Sequence, residues 1–143
     1  MSSVPLHYVE LRAFCNATED EDRVEAALRT FLPEDADLQA ARSEGHFGDP
    51  ITIFSTRLER ADEIRTVLDR IAELPEDDYA QVVDELDERV DEDCNLFLTL
   101  DKQAAYGGDV RLGDGITLRG KVEAYPAKQP AAVENARELL EER

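Results

Sequence analysis

The chain has 143 residues, which is enough for one domain with one sizeable core. Its 34 acidic and 16 basic residues give a formal net charge of −18, and no apolar run approaches the roughly 20 residues of a membrane-spanning helix. Residues 1–5 lack the charged and apolar regions of a secretory signal. These features exclude a transmembrane segment and favour a cytoplasmic protein.

The first third of the chain predicts a strand, a helix and a loop. Residues 6–15 alternate between apolar and polar side chains, as a half-buried strand does. Thr18 and Glu21 have the spacing of a capping box, and the apolar positions that follow predict a helix that stops at Pro33. Residues 34–49 are polar and contain glycine, so we interpret them mostly as a loop.

The remaining elements are predicted in the same way. Residues 51–58 form a second strand, and two helices follow with a kink at Pro75. A third strand over 94–100, a short strand over 110–112, a hairpin turn at 113–115 and a last strand from Ile116 come next. The tail from Gln129 has helical spacing.

This order of elements, β-α-β-α-α-β-β-β-α, predicts an α+β fold in which a mostly antiparallel sheet has helices packed on one face. We expect a single domain over residues 1–143, with 126–143 as a C-terminal helical tail. Cys15 and Cys94 fall on apolar strand faces, which favours buried, unpaired thiols.

The acidic residues are dispersed along the helices, and three of the basic residues are lysines: Lys102, Lys121 and Lys128. Such a charge balance ordinarily repels phosphate. Dispersed acids, scarce lysine and abundant alanine also resemble the composition of proteins from salt-loving archaea. In molar salt the Debye length falls to about 3 Å, so we attribute the charge to a saline cytoplasm, and RNA is not excluded as a partner.

The loop at 44–50 contains the first candidate binding residues. Two glycines allow tight backbone turns there, and His46 and Phe47 offer rings that can stack on an unpaired base. The alternative is a structural turn in which Phe47 enters the core.

The segment 101–106 contains the second candidate group. Lys102 can neutralise a phosphate, Gln103 can bond a base edge, and Tyr106 can stack on a base. The alternative is a strand-to-turn corner in which Lys102 pairs with Asp101 or a neighbouring carboxylate.

Arg119 and Lys121 share the outward face of the last strand and form the third group, which Arg12, Arg57 and Arg111 can extend into a basic patch. Cross-strand pairing with Glu10 or Glu123 is the alternative.

No catalytic, metal or cofactor site is expected. The acidic runs lack the spacing of a calcium loop, and two cysteines and two histidines lie too far apart in sequence for a metal site. The chain contains no phosphate loop, dinucleotide fingerprint or nucleophile with a partner acid.

Residues 6–14 with the helix start at 17–20, the loop at 44–50 and the stretch at 89–106 resemble an archaeal family described as predicted RNA-binding proteins or exosome-associated subunits. The resemblance ends at Pro126. It implies a fold related to the ribosomal protein that binds the small RNA of the large subunit, and exosome or ribosome-related proteins as partners. It supplies no site residues.

We therefore expect a non-catalytic RNA-binding or RNA-processing accessory protein that contacts single-stranded or looped RNA. The contact would use Lys102, Gln103, Tyr106, Arg119 and Lys121, with His46 or Phe47 at the edge. The alternative is a protein-interaction or homodimerisation module without direct RNA contact.

Overall fold

The computed structural model describes residues 5–44 and 48–142. These residues form five strands and six helices. In chain order they are β1 (Leu6–Cys15), α1 (Glu21–Arg29), β2 (Gln39–Glu44), β3 (Pro50–Leu58), α2 (Ala61–Ile71), α3 (Glu76–Asp84), α4 (Leu86–Arg89), β4 (Asn95–Asp101), α5 (Lys102–Tyr106), β5 (Gly115–Val122) and α6 (Gln129–Glu141).

The strands form one sheet in the order β2-β3-β1-β5-β4, and every neighbouring pair is antiparallel. This arrangement confirms the predicted α+β class with a mostly antiparallel sheet. β1 is the central strand, so its outward side chains occupy the middle of the sheet surface.

Alternation along the strands buries one face of the sheet. In β1 the residues Val9, Leu11 and Ala13 are at most 1% exposed, while Arg12 between them and Phe14 after them point outward. Helices α1 and α2 contact β1, and α6 contacts β5. These helices bury an apolar face on the sheet, including Leu28, Ile64 and Leu140. The helices therefore cover one side of the sheet and leave the other side open.

β2 lies in the segment that we predicted to be mostly loop, and that prediction is wrong for residues 39–44. All six residues of β2 are exposed, and the strand lies at the edge of the sheet. A strand without a buried face has no need for alternating apolar residues, so its sequence lacks the usual signal.

Two smaller predictions also need correction, and one element was not predicted. Asp20 and not Thr18 caps α1, since the Asp20 carboxylate accepts a hydrogen bond from the Asp22 N–H. Residues 110–112 form no regular strand: Leu112 makes an isolated bridge with Leu100. Residues 102–106 form the short helix α5, which the Asp101 carboxylate caps by accepting from two N–H groups.

Cys15 and Cys94 are buried, unpaired thiols, as predicted. Cys15 ends β1, whereas Cys94 directly precedes β4 with a positive φ of 67°. Across residues 5–44 and 48–142, no helix has the length and apolar character needed to cross a membrane.

Candidate nucleic-acid interface

The Lys102 side chain is buried at the junction of β4, α1 and the end of β1. Its Nζ donates hydrogen bonds of 2.8 Å to the Phe14 carbonyl oxygen and of 2.8 Å to Glu19 Oε1. The Tyr106 hydroxyl donates to Glu19 Oε2 at 3.2 Å, and the Arg23 guanidinium lies 5.0 Å from the centre of the Tyr106 ring. Lys102 thus has the carboxylate partner that the sequence left as an alternative.

The ionisation of this cluster follows from its surroundings. Burial alone would raise the pKa of Glu19, but hydrogen bonds from Lys102, the Asn16 N–H and Tyr106, together with the Lys102 charge, hold that pKa below its ordinary value. Burial and the Glu19 charge raise the pKa of Tyr106. Burial and the neighbouring carboxylates raise the pKa of the Cys15 thiol, so Cys15 stays protonated.

The other sequence-predicted residues lie elsewhere. Gln103 is exposed on α5. His46 and Phe47 lie outside the described residues. Arg119 and Lys121 point outward from β5, on the face away from the helices, and Lys121 Nζ donates to the Asp93 carbonyl oxygen.

The structure does not bring the Lys102 group and the β5 group together. β4 and β5 are neighbours as we predicted, but Asp101 pairs with Gly115 and Asn95 pairs with Lys121. Lys121 therefore lies six residues, or roughly 20 Å, along β5 from the Lys102 end. The two groups also lie on opposite sides of the sheet.

The outward side of the sheet is a separate surface, which we call the open face. It consists of every second residue of each strand, counted from the first number of these ranges: 8–14 of β1, 39–43 of β2, 51–57 of β3, 95–99 of β4 and 117–121 of β5. Four of these side chains are basic and one is acidic; they are Arg12, Arg57, Arg119 and Lys121, against Glu10. In a chain with a net charge of −18, this surface has a local excess of positive charge.

Arg12 is at the centre of the open face. Cross-strand pairing places it in one row that crosses all five strands, formed by Gln39, Ser55, Arg12, Thr117 and Thr99. Arg12 is exposed, and it makes no ion pair or hydrogen bond with any described residue. Its guanidinium is therefore free to bind an anion, with hydroxyl and amide groups on both sides.

Two exposed aromatic rings flank this row. Phe14 is 44% exposed and Phe97 is 37% exposed, which is unusual for large apolar side chains of this protein. Phe14 and Phe97 are separated by four residues along the strand direction and by two strand spacings across the sheet. The backbone distance between them is therefore roughly 16 Å. Both rings line a shallow groove of about 650 Å³ that also contains Arg12, with Asp37 at its rim.

Glu10 links two arginines that, like Glu10 itself, line the groove. Arg119 donates to Glu10 Oε2, and Arg57 Nη1 lies 3.6 Å from Glu10 Oε1. The Arg57 guanidinium also stacks 3.8 Å from the centre of the Tyr8 ring. The cross-strand pairing with Glu10 that the sequence offered as an alternative is present, whereas Glu123 lies near His7, at 3.5 Å.

Sequence reasoning assigned Arg12, Arg57 and Arg119 to one outward patch, and the register places all three on the open face. Arg111 follows α5 outside the strands. Sequence reasoning missed Phe14 and Phe97 as binding residues. The available signal was that each aromatic ring occupies an outward position in an alternating strand, where apolar residues are not needed for the core.

Comparisons with known proteins agree with a nucleic-acid role for the family. A family model described as RNA binding matches residues 8–122 of this chain. The chain belongs to this RNA-binding family. The match covers β1 through β5 and ends before α6.

Two relatives are similar to this chain in sequence, and a solved structure is similar to it in both sequence and fold. A Pyrococcus abyssi protein named RNA-binding protein PAB1135 is 35% identical over 144 residues, covering 94% of each chain. An uncharacterized Methanocaldococcus jannaschii protein is 35% identical over 118 residues, covering 77% of this chain and 78% of its own. The solved structure of a DUF54 protein from Methanothermobacter thermautotrophicus superposes with a TM-score of 0.79 at 40% identity, covering 94% of this chain and 98% of that one.

Proposed function

We propose that this protein binds single-stranded or looped RNA directly through the open face, as a non-catalytic accessory protein in RNA processing. The observation that carries the proposal is the free Arg12 guanidinium at the centre of the only sheet face that the described helices leave uncovered, between the exposed rings of Phe14 and Phe97. Cations bind phosphates and rings stack on bases, so the two kinds of contact needed for an unpaired strand lie side by side.

The distribution of charge supports this surface over the helical side. Acidic residues start the helices on the covered side, including Glu21, Asp62 and Glu76. These carboxylates favour the helix dipoles but repel phosphate. RNA that approaches the protein is therefore directed to the open face.

The shape of the surface supports an unpaired strand over a duplex. A flat sheet cannot enter the deep, narrow major groove of A-form RNA. An open sheet with aromatic side chains instead accepts unstacked bases, typically two or three of them. The distance between Phe14 and Phe97 leaves room for a short segment of strand to cross the row that contains Arg12.

Exosome association, a saline cytoplasm and a relation to the ribosomal-protein fold complete the proposal. They rest on the resemblance and the acidic composition described above. We propose a non-catalytic role because the open face presents cations, rings, hydroxyls and amides that are suited to binding.

Fluorescence anisotropy with a labelled, unstructured RNA 12-mer tests the proposal, with the matching duplex as competitor. Phe97→Ala should weaken binding by about 1–3 kcal/mol if the ring stacks on a base. Arg12→Ala should weaken binding to all sequences alike, as the loss of a phosphate contact does. Arg65→Ala on α2 removes the same charge outside the open face and should leave the affinity unchanged.

Two further variants separate the open face from the α5 corner. Gln103→Ala and Tyr106→Ala, each shown to be folded by circular dichroism, should bind like the wild type if RNA lies on the open face. Loss of binding in these two variants, with normal binding by Arg12→Ala, would move the site to α5. A third outcome is that the protein does not bind RNA and sediments as a dimer, and that replacing Phe14 and Phe97 makes it a monomer. That outcome would mean that the open face binds a second copy of the chain.

A further inference from the structure

We propose that Glu10 withholds Arg57 and Arg119 from RNA phosphates, so that the open face binds RNA mainly by stacking and with a weak dependence on salt. This inference rests on the proposed function and adds how the affinity is divided between charge and stacking. Glu10 is then a residue that sets the electrostatic part of binding.

The geometry of Glu10 suits this role. Each of its carboxylate oxygens faces a different arginine, Oε2 towards Arg119 and Oε1 towards Arg57. The Glu10 side chain is 25% exposed, so water screens the pairs less than it would on an open surface. A phosphate that approaches either guanidinium must displace the carboxylate or remain beside its negative charge.

The remaining cations of the open face are few. Lys121 donates to the Asp93 carbonyl oxygen at the end of the sheet and is not among the residues that line the groove. Arg12 has no partner among the described residues. The groove therefore offers one cation without an ion-pair partner in the described part of the chain, although four basic side chains point outward from the open face.

The number of phosphates that a protein neutralises is measurable. The logarithm of the affinity for single-stranded nucleic acid falls with the logarithm of salt concentration by about 0.7 per neutralised phosphate. With Arg12 alone in contact, a tenfold increase in salt should lower the affinity by about fivefold. Stacking on Phe14 and Phe97 has no counterion term, so it persists at high salt.

Glu10→Gln keeps the shape of the side chain and removes its charge. The variant frees Arg119, and it leaves Arg57 with a 3.5 Å contact to the exposed Glu59. One or two further phosphates can then be neutralised, so the same tenfold increase in salt should lower the affinity by about 25-fold or more. At low salt the variant should bind more tightly than the wild type, because the additional phosphate contacts are strongest there.

The experiment measures the affinity of the full chain for the labelled RNA 12-mer over a tenfold range of potassium chloride in which circular dichroism shows each protein to be folded. Glu123→Gln is the matched control, because it makes the same change in net charge beside His7 and frees no arginine. It should keep the shallow salt dependence of the wild type.

Three results would overturn the inference. Equal salt dependence in Glu10→Gln and the wild type would mean that Glu10 does not withhold the arginines. A wild-type affinity that already falls 25-fold or more would mean that the arginines contact phosphate in its presence. If neither protein binds the RNA at any salt concentration, the proposed function fails, and the inference fails with it.

Discussion

Replacing Lys102 with methionine should destabilise the fold and leave the open face unchanged. The side chains of Lys102 and Glu19 are 10% and 19% exposed, and Lys102 Nζ donates to both Glu19 and the Phe14 carbonyl oxygen. Methionine fills a similar volume without a donor. The variant therefore leaves one carboxylate and one carbonyl group without their charged partner.

The size of the loss in unfolding free energy depends on the hydrogen bonds that Glu19 keeps in the variant. Breaking a buried ion pair costs about 3–5 kcal/mol because one charge stays buried alone. Glu19 keeps hydrogen bonds from the Asn16 N–H and from Tyr106, so we expect a loss near the lower end, about 3 kcal/mol. For a chain of this length the melting temperature should fall by roughly 10 °C.

Urea unfolding at fixed potassium chloride measures the loss directly. Lys121→Met is the matched control, and it should lower the free energy of unfolding by under about 1 kcal/mol because Lys121 contacts only a surface carbonyl. The double variant Lys102→Met with Glu19→Gln should regain part of the lost stability, since no charge is then left unpaired. An unchanged free energy of unfolding in Lys102→Met would refute the reasoning, and a folded variant without RNA affinity would restore Lys102 as a phosphate contact.

Three further predictions concern stability. Gly115→Ala should cost about 1–3 kcal/mol in urea unfolding, because the residue has a φ of 110° and a Cβ there would lie 2.6 Å from Lys102 Cβ; wild-type stability would contradict it. The pKa of Glu19 is lowered in the folded state from an ordinary 4.5, so its contribution is complete above that value and is lost as the pH falls through the lower folded pKa. The difference in stability between wild type and Glu19→Gln should thus be constant at neutral pH and shrink in acid, and a difference that grows in acid would reverse the argument. The net charge of −18 predicts a higher melting temperature in molar than in dilute potassium chloride, and an equal midpoint would remove the case for salt adaptation.

Alternation made most of the sheet predictable from sequence. β1, β3, β4 and β5 each bury every second residue, so their apolar spacing indicates both the element and its inward face. β2 has no buried face, so its sequence lacks apolar alternation and predicts a loop. The five residues of α5 span little more than one helical turn, too short to show a period.

The candidate site was predictable only in part, for a related reason. Local alternation predicts that the Arg12 and Arg119 side chains point outward. The neighbours of these side chains depend on strand order and register. The partner of Lys102 is 83 residues away in the chain. Local sequence gives the chemistry of a side chain, whereas long-range packing determines that Lys102 pairs with Glu19 and that Arg12 has no partner among the described residues.

The border of the sheet at β2 has a consequence for the behaviour of the protein at high concentration. Unpaired strand edges are the usual template on which sheets of separate molecules join. β2 presents two alanines and no larger apolar side chain, and its Arg42 is held 2.9 Å from Glu21 of α1. A second molecule that aligned with this strand would bury almost no apolar surface and would meet fixed charges. The strand that is hardest to detect in the sequence is therefore a poor template for the joining of sheets from separate molecules.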